Sequence, residues 1–267
     1  MNVIELYSGI GGMHFALKES GIDYKVVKAV DINTTANEVY KLNFPKTLLL
    51  GKNIQSLQLE DFNGIDMILM SPPCQPHTRN GLKRDNLDER SHSLLYLLTL
   101  LPKLHSVNYI LLENVKGFEI SRIRDELVDI LISSGYTYQE FLLTPTQFGI
   151  PNSRLSDGVE NEIINLQTNL ETDFVQCYPL KEILDEMRVI NLVVLLKVMD
   201  ILLREPVPFC HRKPPAMYFT PKEISKLMCF PDSLIFPNYF TKKQKYRLLG
   251  NSVNVHVVSI LIKLLVS

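Results

Sequence analysis

A cysteine stands where a buried strand is expected to end, in the sequence Ser-Pro-Pro-Cys-Gln of residues 71–75. The apolar run of residues 67–70 that precedes it is typical of a buried strand. Two prolines fix the local φ angles and withhold backbone donors, so the loop is stiff and holds Cys74 out from the strand tip. A thiol presented in this way is a candidate nucleophile, although a free cysteine is most often a small buried hydrophobe.

Three more groups that can do chemistry follow apolar runs. A glycine turn covers residues 8–12, Asp31 follows the run 24–30, and Glu113 follows the run 109–112. Because ligands bind at the carboxyl ends of the strands in an open parallel sheet, we expect these groups and Cys74 to lie along one edge. A structural protein has no need for a thiol, two carboxylates and a glycine turn in one place, so the combination favours an enzyme.

The glycine turn indicates a nucleotide-type cofactor, since glycines let the backbone approach a ligand and a helix amino terminus offers N–H groups. Asp31 lies 20 residues beyond Gly11, a spacing that suits a carboxylate holding ribose hydroxyls. His14 stands where a dinucleotide motif has its third glycine, and the turn alone fits a dinucleotide enzyme, a methyltransferase or a plain helix start. Cys74 and Glu113 favour the methyltransferase, because an unreactive pyrimidine carbon must be activated by a nucleophile whereas hydride transfer has no evident use for one.

Strand and helix patterns alternate through the first half of the chain. Apolar runs typical of strands cover residues 3–7, 24–30, 65–70, 109–112 and 136–143. Helical spacing covers residues 13–17, 34–42, 93–104 and 123–133, and further helices are predicted over 187–203, 220–228, 244–249 and 253–265. Thr220 and Pro221 suit the N-cap and first position of a helix. The alternation predicts an α/β fold with a mostly parallel sheet covered on both faces.

Composition excludes several classes of protein. The chain has 267 residues and a net charge of −1. It therefore lacks the overall positive charge typical of nucleic-acid-binding proteins, and any binding of a nucleic acid must depend on a local basic patch. The four cysteines form no C-x-x-C pair, and we expect neither a metal site nor disulfides. The longest apolar run, residues 189–203, is interrupted by polar residues and is too short to span a bilayer. We expect a soluble monomer in the cytoplasm, with an additional nuclear location left open.

Four motifs resemble those of the cytosine-5 methyltransferases, in the family's order. They are Glu-Leu-Tyr-Ser-Gly-Ile-Gly-Gly at residues 5–12, Ser-Pro-Pro-Cys-Gln at 71–75, Glu-Asn-Val at 113–115 and Gly-Asn-Ser at 250–252. The stretches around the last three are similar to a eukaryotic branch that methylates an anticodon-loop cytosine of aspartate transfer RNA. The resemblance covers residues 1–154 and 218–267.

The resemblance implies a Rossmann-like class I methyltransferase sheet. Residues 1–154 would form a catalytic domain that binds S-adenosylmethionine (SAM), residues 155–217 a reduced target-recognition region, and residues 218–267 a segment that returns to the catalytic domain. It also implies that Cys74 adds to C6 of a cytosine whose C5 then takes the methyl group of SAM. Glu113 would hold N3 and the exocyclic amine, and Arg154 would steer the base.

The same resemblance assigns the ligand-binding residues. Nine would hold the cofactor: Gly9, Ile10, Gly11, Gly12, Asp31, Ile54, Gln55, Asn251 and Ser252. The expected partner is transfer RNA, with DNA as an alternative, and four basic residues close to Cys74 would hold its phosphates: Arg79, Lys83, Arg84 and Arg90. A base in a single-stranded loop costs less to extract than a paired base, which favours RNA.

Two departures from the family's pattern support a competing hypothesis. The second arginine expected two residues after Arg154 is replaced by Ser156, and the antiparallel strand expected after it is missing from the sequence pattern. These losses and the reduced recognition region favour a truncated form that binds cofactor or RNA without turnover. The intact thiol, carboxylate and glycine turn favour an active enzyme, and methylation of duplex DNA is a third hypothesis.

Overall fold

A computed structural model describes residues 1–73, 92–115, 117–143, 145–150, 192–198 and 219–267, the segment 192–198 by its backbone. Strands in these residues form one sheet: β1 (Asn2–Leu6), β2 (Lys25–Val30), β3 (Leu48–Leu50), β4 (Met67–Met70), β5 (Tyr109–Asn114), β6 (Thr137–Leu143) and β7 (Leu192–Val198). Their order is β3-β2-β1-β4-β5-β7-β6, and every neighbouring pair is parallel. The predicted α/β fold with a parallel sheet is confirmed.

Helices cover the sheet: α1 (Gly12–Ser20), α2 (Thr34–Asn43), α3 (His92–Leu100), α4 (Arg122–Ser133), α5 (Pro221–Leu227), α6 (Lys242–Gly250) and α7 (Val255–Val266). Short 3₁₀ turns occupy Ile54–Ser56, Leu59–Phe62, Leu101–Lys103, Phe118–Ile120 and Pro145–Phe148. Most of the helices begin at an N-cap residue whose side chain accepts a hydrogen bond from a backbone amide of the first turn. Asn33, for example, accepts from the Ala36 amide at 3.2 Å. The predicted cap of α5 is confirmed, because the Thr220 hydroxyl accepts from the Glu223 amide at 3.2 Å.

Each central strand is buried on both faces, because alternate side chains enter two separate apolar layers. In β4, Met67 and Leu69 pack into one layer with α1 and α7, while Ile68 and Met70 pack into the other with α3 and α4. All four of these side chains are at most 1% exposed. The central strands therefore have no freedom to slip, which fixes the level at which each one ends.

The C-terminal segment returns to the start of the chain. Helix α7 packs against α1, and its Asn254 N-cap accepts from the Val257 amide at 3.1 Å. The stretch Lys242–Val266 passes a length and composition test for a membrane span. The stretch nevertheless consists of two helices. Its most apolar 18 residues are 61% buried inside the protein, as expected for the core helices of a globular domain.

The sequence prediction for residues 187–203 was wrong. A helix was predicted there, but Leu192–Val198 is a strand that pairs in parallel with both β5 and β6. The strand expected directly after Arg154 falls outside the described residues, so its loss stays a prediction. Strand β7 occupies the position between β5 and β6 in the sheet. It runs parallel to its neighbours, whereas the expected family strand is antiparallel. The proposed division into three regions stays a prediction.

Candidate active site

The strand register brings the ends of the central strands to one level. Leu6 pairs with both Val30 and Met70, and Met70 pairs in turn with Leu112. The residues that follow these four positions are Tyr7, Asp31, Ser71 and Glu113. They therefore lie side by side at the carboxyl edge of the sheet, where an open parallel sheet binds its ligands.

The glycine turn between β1 and α1 is shaped by close contacts. Gly11 has a φ of +87°, and a Cβ there would lie 2.5 Å from the Phe44 ring. A Cβ on Gly12 would lie 2.8 Å from the Val253 side chain, which belongs to the returning C-terminal segment. Glycine is required at both positions because any larger residue would push α2 or the C-terminal segment away from the turn.

A shallow cleft opens beside this turn. Its walls come from the turn, the end of β4 and the segment between α6 and α7, namely Tyr7, Ser8, Gly9, Ile10, Gly12, Met13, Ser71, Asn251, Ser252 and Val253. The Ser8 hydroxyl oxygen is buried and has no hydrogen-bond partner among the described residues. Burying a polar atom without a hydrogen-bond partner costs free energy. The Ser8 hydroxyl is therefore a candidate to bind a polar group of a ligand in the cleft.

Five of the predicted cofactor residues, Gly9, Ile10, Gly12, Asn251 and Ser252, lie in the cleft wall. Gly11 lies behind the cleft wall, where it faces the rings of Tyr40 in α2 and of Phe44, the residue that follows α2. The sequence reasoning missed Tyr7, Ser8, Met13, Ser71 and Val253, although each directly neighbours or lies within a recognised motif, and that proximity was the available signal.

Asp31 supports the turn. Its Oδ2 accepts from the Gly9 amide at 2.7 Å, and its Oδ1 accepts from the Asn33 amide at 2.7 Å. Burial raises the pKa of Asp31, while these backbone donors oppose the shift. Each carboxylate oxygen can accept a further hydrogen bond. The neighbouring Ile32 is 66% exposed, so an apolar side chain that the sequence reasoning did not single out stands in solvent beside the carboxylate.

The structure does not bring Ile54 and Gln55 into the cleft. Ile54 is buried at 4% exposure in the layer beneath α3. Gln55 is exposed, and its amide donates to the Asn53 Oδ1 at 3.0 Å. Their predicted place beside an adenine ring stays a prediction.

Glu113 is the next-to-last residue of β5 and is 8% exposed, and Asn114, which ends the strand, is 2% exposed. The Asn114 Oδ1 accepts from the Val115 amide at 2.9 Å, which turns the chain away from the sheet directly after the carboxylate. A nearly buried carboxyl group at a strand end has the setting of a group that meets a ligand rather than water. The other predicted residues of the reaction and of phosphate binding lie outside the described residues: Cys74, Arg154, Arg79, Lys83, Arg84 and Arg90.

A buried polar network lies beneath the glycine turn. Glu5, the next-to-last residue of β1, is fully buried, and the Tyr40 hydroxyl lies 2.8 Å from its Oε2 and 2.9 Å from the His14 Nδ1. The His14 amide donates to Glu5 Oε1 at 3.3 Å, and the His14 ring stacks on Phe44 at 3.7 Å. Burial raises the pKa of Glu5 to about 8 and lowers the pKa of His14 to about 4. The network joins β1, α1 and α2 around the turn.

This network predicts a pH dependence of stability. Between pH 6.5 and about 8 the folded chain keeps a proton on Glu5 that the unfolded chain has lost, so the free energy of unfolding falls as the pH rises. The fall is about 1.4 kcal/mol per pH unit, or about 2 kcal/mol across this window. Below pH 6.5 the lowered pKa of His14 acts in the opposite direction and offsets the Glu5 effect.

Urea denaturation at pH 6.5 and pH 8 measures this difference, with Glu5→Gln as the variant that should show almost no slope in that window. A wild-type chain whose stability is constant between the two pH values would contradict the burial of a protonated Glu5. An equal slope in both proteins would assign the proton to another group.

No group of three or more histidine, cysteine or acidic residues with the geometry of a metal site occurs among the residues that the structure describes.

Comparison with known proteins gives consistent matches. The family model for C-5 cytosine-specific DNA methylases matches residues 1–156 and 196–267. A tRNA (cytosine(38)-C(5))-methyltransferase of Spodoptera frugiperda is 41% identical over 327 aligned residues, covering 98% of each chain. The Homo sapiens protein of that name is 37% identical over 386 residues, covering 99% of each chain. The crystal structure of S. pombe Dnmt2 methyltransferase superposes with a TM-score of 0.72 at 33% identity, covering 100% of this chain and 98% of that chain.

The alignments also reveal an internal gap. A chain of 267 residues cannot fill 327 aligned positions, so at least 60 positions of the Spodoptera frugiperda relative have no counterpart here. Residues 157–195 are outside the family match. The motifs at both ends of the chain therefore lie inside the family match, and residues 157–195 lie outside it.

Proposed function

Because the chain belongs to the C-5 cytosine-specific DNA methylase family, we propose that it transfers the methyl group of SAM to C5 of a cytosine in transfer RNA. The specific target that we propose is the anticodon-loop cytosine of aspartate transfer RNA. The names of its relatives, which state cytosine 38 of tRNA, support this choice of substrate.

One observation carries the proposal: Ser71 belongs both to the wall of the cleft and to the loop that continues to Cys74. A ligand in the cleft and a nucleophile three residues along the chain are thereby joined at one strand end. Glu113 lies in the adjacent strand β5, one residue beyond the Leu112 that pairs with Met70. This arrangement supports a reaction between a bound cofactor and a base held at the edge of the sheet.

The residues present fit SAM. The glycine turn offers close backbone approach, and the unpartnered Ser8 hydroxyl supplies a buried polar contact. The free lone pairs of Asp31 suit ribose hydroxyls, and the exposed Ile32 offers an apolar face for an adenine ring. When bound, SAM supplies an electrophilic methyl group on a sulfonium centre.

The proposed mechanism uses two side chains of this chain. The Cys74 thiolate adds to C6 of cytosine, forming a carbon–sulfur bond and making C5 an enamine-like nucleophile. Glu113 holds N3 and the exocyclic amine, and it shares a proton with N3 as negative charge develops on the ring. C5 would take the methyl group that bound SAM supplies, and S-adenosylhomocysteine would be the product left behind. Loss of the C5 proton to a base then expels the Cys74 thiolate and restores the aromatic ring.

Helix α6 supports a nucleic-acid substrate. Lys243, Arg247 and Asn251 are all exposed, and their spacing of four residues puts them on one face of the helix. Asn251 is itself part of the cleft wall. The row therefore leads from solvent to the cofactor cleft, and no acidic residue interrupts α6. Such a row suits the phosphates on either side of an extruded base.

Replacing Arg247 with alanine is expected to weaken transfer RNA binding about fivefold at physiological salt and to reduce the slope of log K against log salt by about 1, because one phosphate contact is lost. Fluorescence anisotropy across a salt series measures both quantities. Lys103→Ala is the control, since Lys103 is exposed in the 3₁₀ turn at the opposite end of the sheet. Equal salt slopes in wild type and Arg247→Ala would contradict a phosphate contact at this residue.

Two alternatives are separated by one experiment. A truncated form without turnover is favoured by the internal gap, and duplex DNA is favoured by the name of the family model. Labelled methyl transfer is measured into aspartate transfer RNA, the same RNA with cytosine 38 replaced by uracil, and duplex DNA. We expect label only in the first. Label in DNA alone would support the DNA enzyme, and no label from a soluble protein that binds SAM would support the truncated form.

A further inference from the structure

We infer that Tyr7 is a positioning residue that joins the cofactor cleft to both flanks of the segment that carries Cys74, an inference that rests on the proposed function. Tyr7 lines the cleft. Its carbonyl oxygen accepts a hydrogen bond from the Ser71 hydroxyl at 3.4 Å, and its own hydroxyl donates to the Ser93 hydroxyl oxygen at 3.0 Å. Ser71 precedes Cys74 by three residues, and Ser93 is the second residue of α3.

The backbone of Tyr7 has an unusual conformation. Its φ of +54° lies in the left-handed region, where a residue with a large side chain is strained. This conformation turns the chain sharply at the end of β1 into the glycine turn. Strain of this kind persists only where surrounding contacts hold it, and the bonds to Ser71 and Ser93 are such contacts.

The side chain of Tyr7 is well suited to act as a fixed link. It is partly buried and packs against the apolar layer beneath α3. Burial raises the pKa of Tyr7, so the hydroxyl stays protonated and can donate its hydrogen bond to Ser93. The rigid ring sets the distance between the end of β1 and the start of α3.

The two hydrogen bonds of Tyr7 hold both flanks of the segment that carries Cys74. Ser71 and Ser93 flank the chain segment with the nucleophile, and Tyr7 holds each of them in relation to the cleft. A displaced flank moves one end of the segment that carries the nucleophile, and misplacement of reacting groups by about 1 Å costs a reaction up to about 100-fold. Tyr7 therefore acts on the rate of the reaction through Cys74 and contributes little through its hydroxyl to cofactor affinity.

The test compares three variants with a matched control. Tyr7→Phe keeps the ring and the cleft wall but loses the hydroxyl, Ser93→Ala removes the acceptor, and the double variant removes both. Tyr136→Phe is the control, because the Tyr136 hydroxyl also makes a buried bond, to the Val107 carbonyl at 2.8 Å, at the far end of the sheet. We expect each of the three variants to lower kcat about tenfold with SAM Kd unchanged within twofold, the double variant no more than either single one.

A second measurement does not depend on methyl transfer. The rate of Cys74 alkylation by iodoacetamide, followed by peptide mass spectrometry, is expected to change about threefold or more when SAM binds to the wild type. The change should be lost in Tyr7→Phe and in Ser93→Ala and kept in the control. A wild type that couples alkylation to SAM without methyl transfer would overturn the proposed function and leave the Tyr7 link supported.

The inference is overturned by any of three results. These are kcat within twofold of wild type in Tyr7→Phe or Ser93→Ala, additive losses in the double variant, and alkylation that responds to SAM in the variants as it does in the wild type. If Tyr7→Phe fails to fold, the same criteria apply to Ser93→Ala.

Discussion

Replacing Cys74 with alanine is expected to lower methyl transfer to RNA by about 10⁴-fold or more, with the affinity for SAM unchanged. C5 of cytosine is too weak a nucleophile until a thiolate adds at C6, so the reaction loses its covalent route when the sulfur is removed. The substitution removes only the sulfur and leaves every residue of the described cleft wall unchanged, and cofactor binding is therefore expected to survive. Single-turnover methyl transfer and isothermal titration with SAM measure the two quantities.

Cys229→Ala serves as the control for loss of a thiol. Cys229 is half-buried, and burial raises the pKa of its thiol, so it is a poor nucleophile at neutral pH. Its replacement should leave the rate within twofold of wild type. Residual activity of Cys74→Ala above about 1% of wild type would contradict the role of Cys74 as the attacking group.

Replacing Glu113 with glutamine is expected to lower kcat by about 10²-fold to 10³-fold with little change in KM. Glutamine can donate to N3 through its amide and accept from the exocyclic amine, so it reproduces the hydrogen bonds of a protonated glutamate to the unreacted base. It cannot give up a proton as the ring becomes more basic during thiolate addition. The loss should therefore fall on the transition state rather than on binding.

Steady-state kinetics with transfer RNA separate kcat from KM for this variant. Glu126→Gln, an exposed carboxylate on α4, is the control for the same chemical change away from the site. An effect of Glu113→Gln on KM alone would limit Glu113 to base binding. If both kcat and KM were unchanged, Glu113 would have no role in the mechanism.

Much of the fold could be predicted from the sequence because β1, β2, β4 and β5 each combine a mostly apolar run with a turn signal. Strands buried on both faces are largely apolar, and the structure packs alternate side chains of these strands into two apolar layers. The short strand Leu48–Leu50 was missed, since three residues are too few for a periodic signal. Its pairing with β2 depends on a neighbour and not on its own sequence.

The error at residues 187–203 has a physical cause. A short apolar run fits a buried helix and a buried strand equally well, and the choice between them depends on where the run can pack. Strands β5 and β6 need a partner for the backbone groups along their facing edges, and Leu192–Val198 pairs with both. The β-branched valines at 193, 194 and 198 were a signal in favour of the strand.

The site could be predicted only in part. The motifs indicated which strand ends carry chemistry, and the register brings those ends to one level. The Glu5, Tyr40 and His14 network could not be predicted, because it joins three elements whose contact is set by tertiary packing. Tyr7 was noticed only as one letter of a motif, since the sequence contains no sign of its bonds to Ser71 and Ser93.

Covalent trapping tests the central claim, a Cys74-dependent methyl transfer to cytosine, most directly. An anticodon stem-loop with 5-fluorocytosine at the target position is incubated with the protein and SAM, and the intact mass and its peptide map are recorded. Fluorine on C5 cannot leave as a proton does, so the thiol is not expelled after methyl transfer. We predict a protein–RNA adduct that carries one added methyl group and maps to Cys74. A protein that binds SAM and this RNA but forms no adduct, or forms one at another residue, would contradict the account.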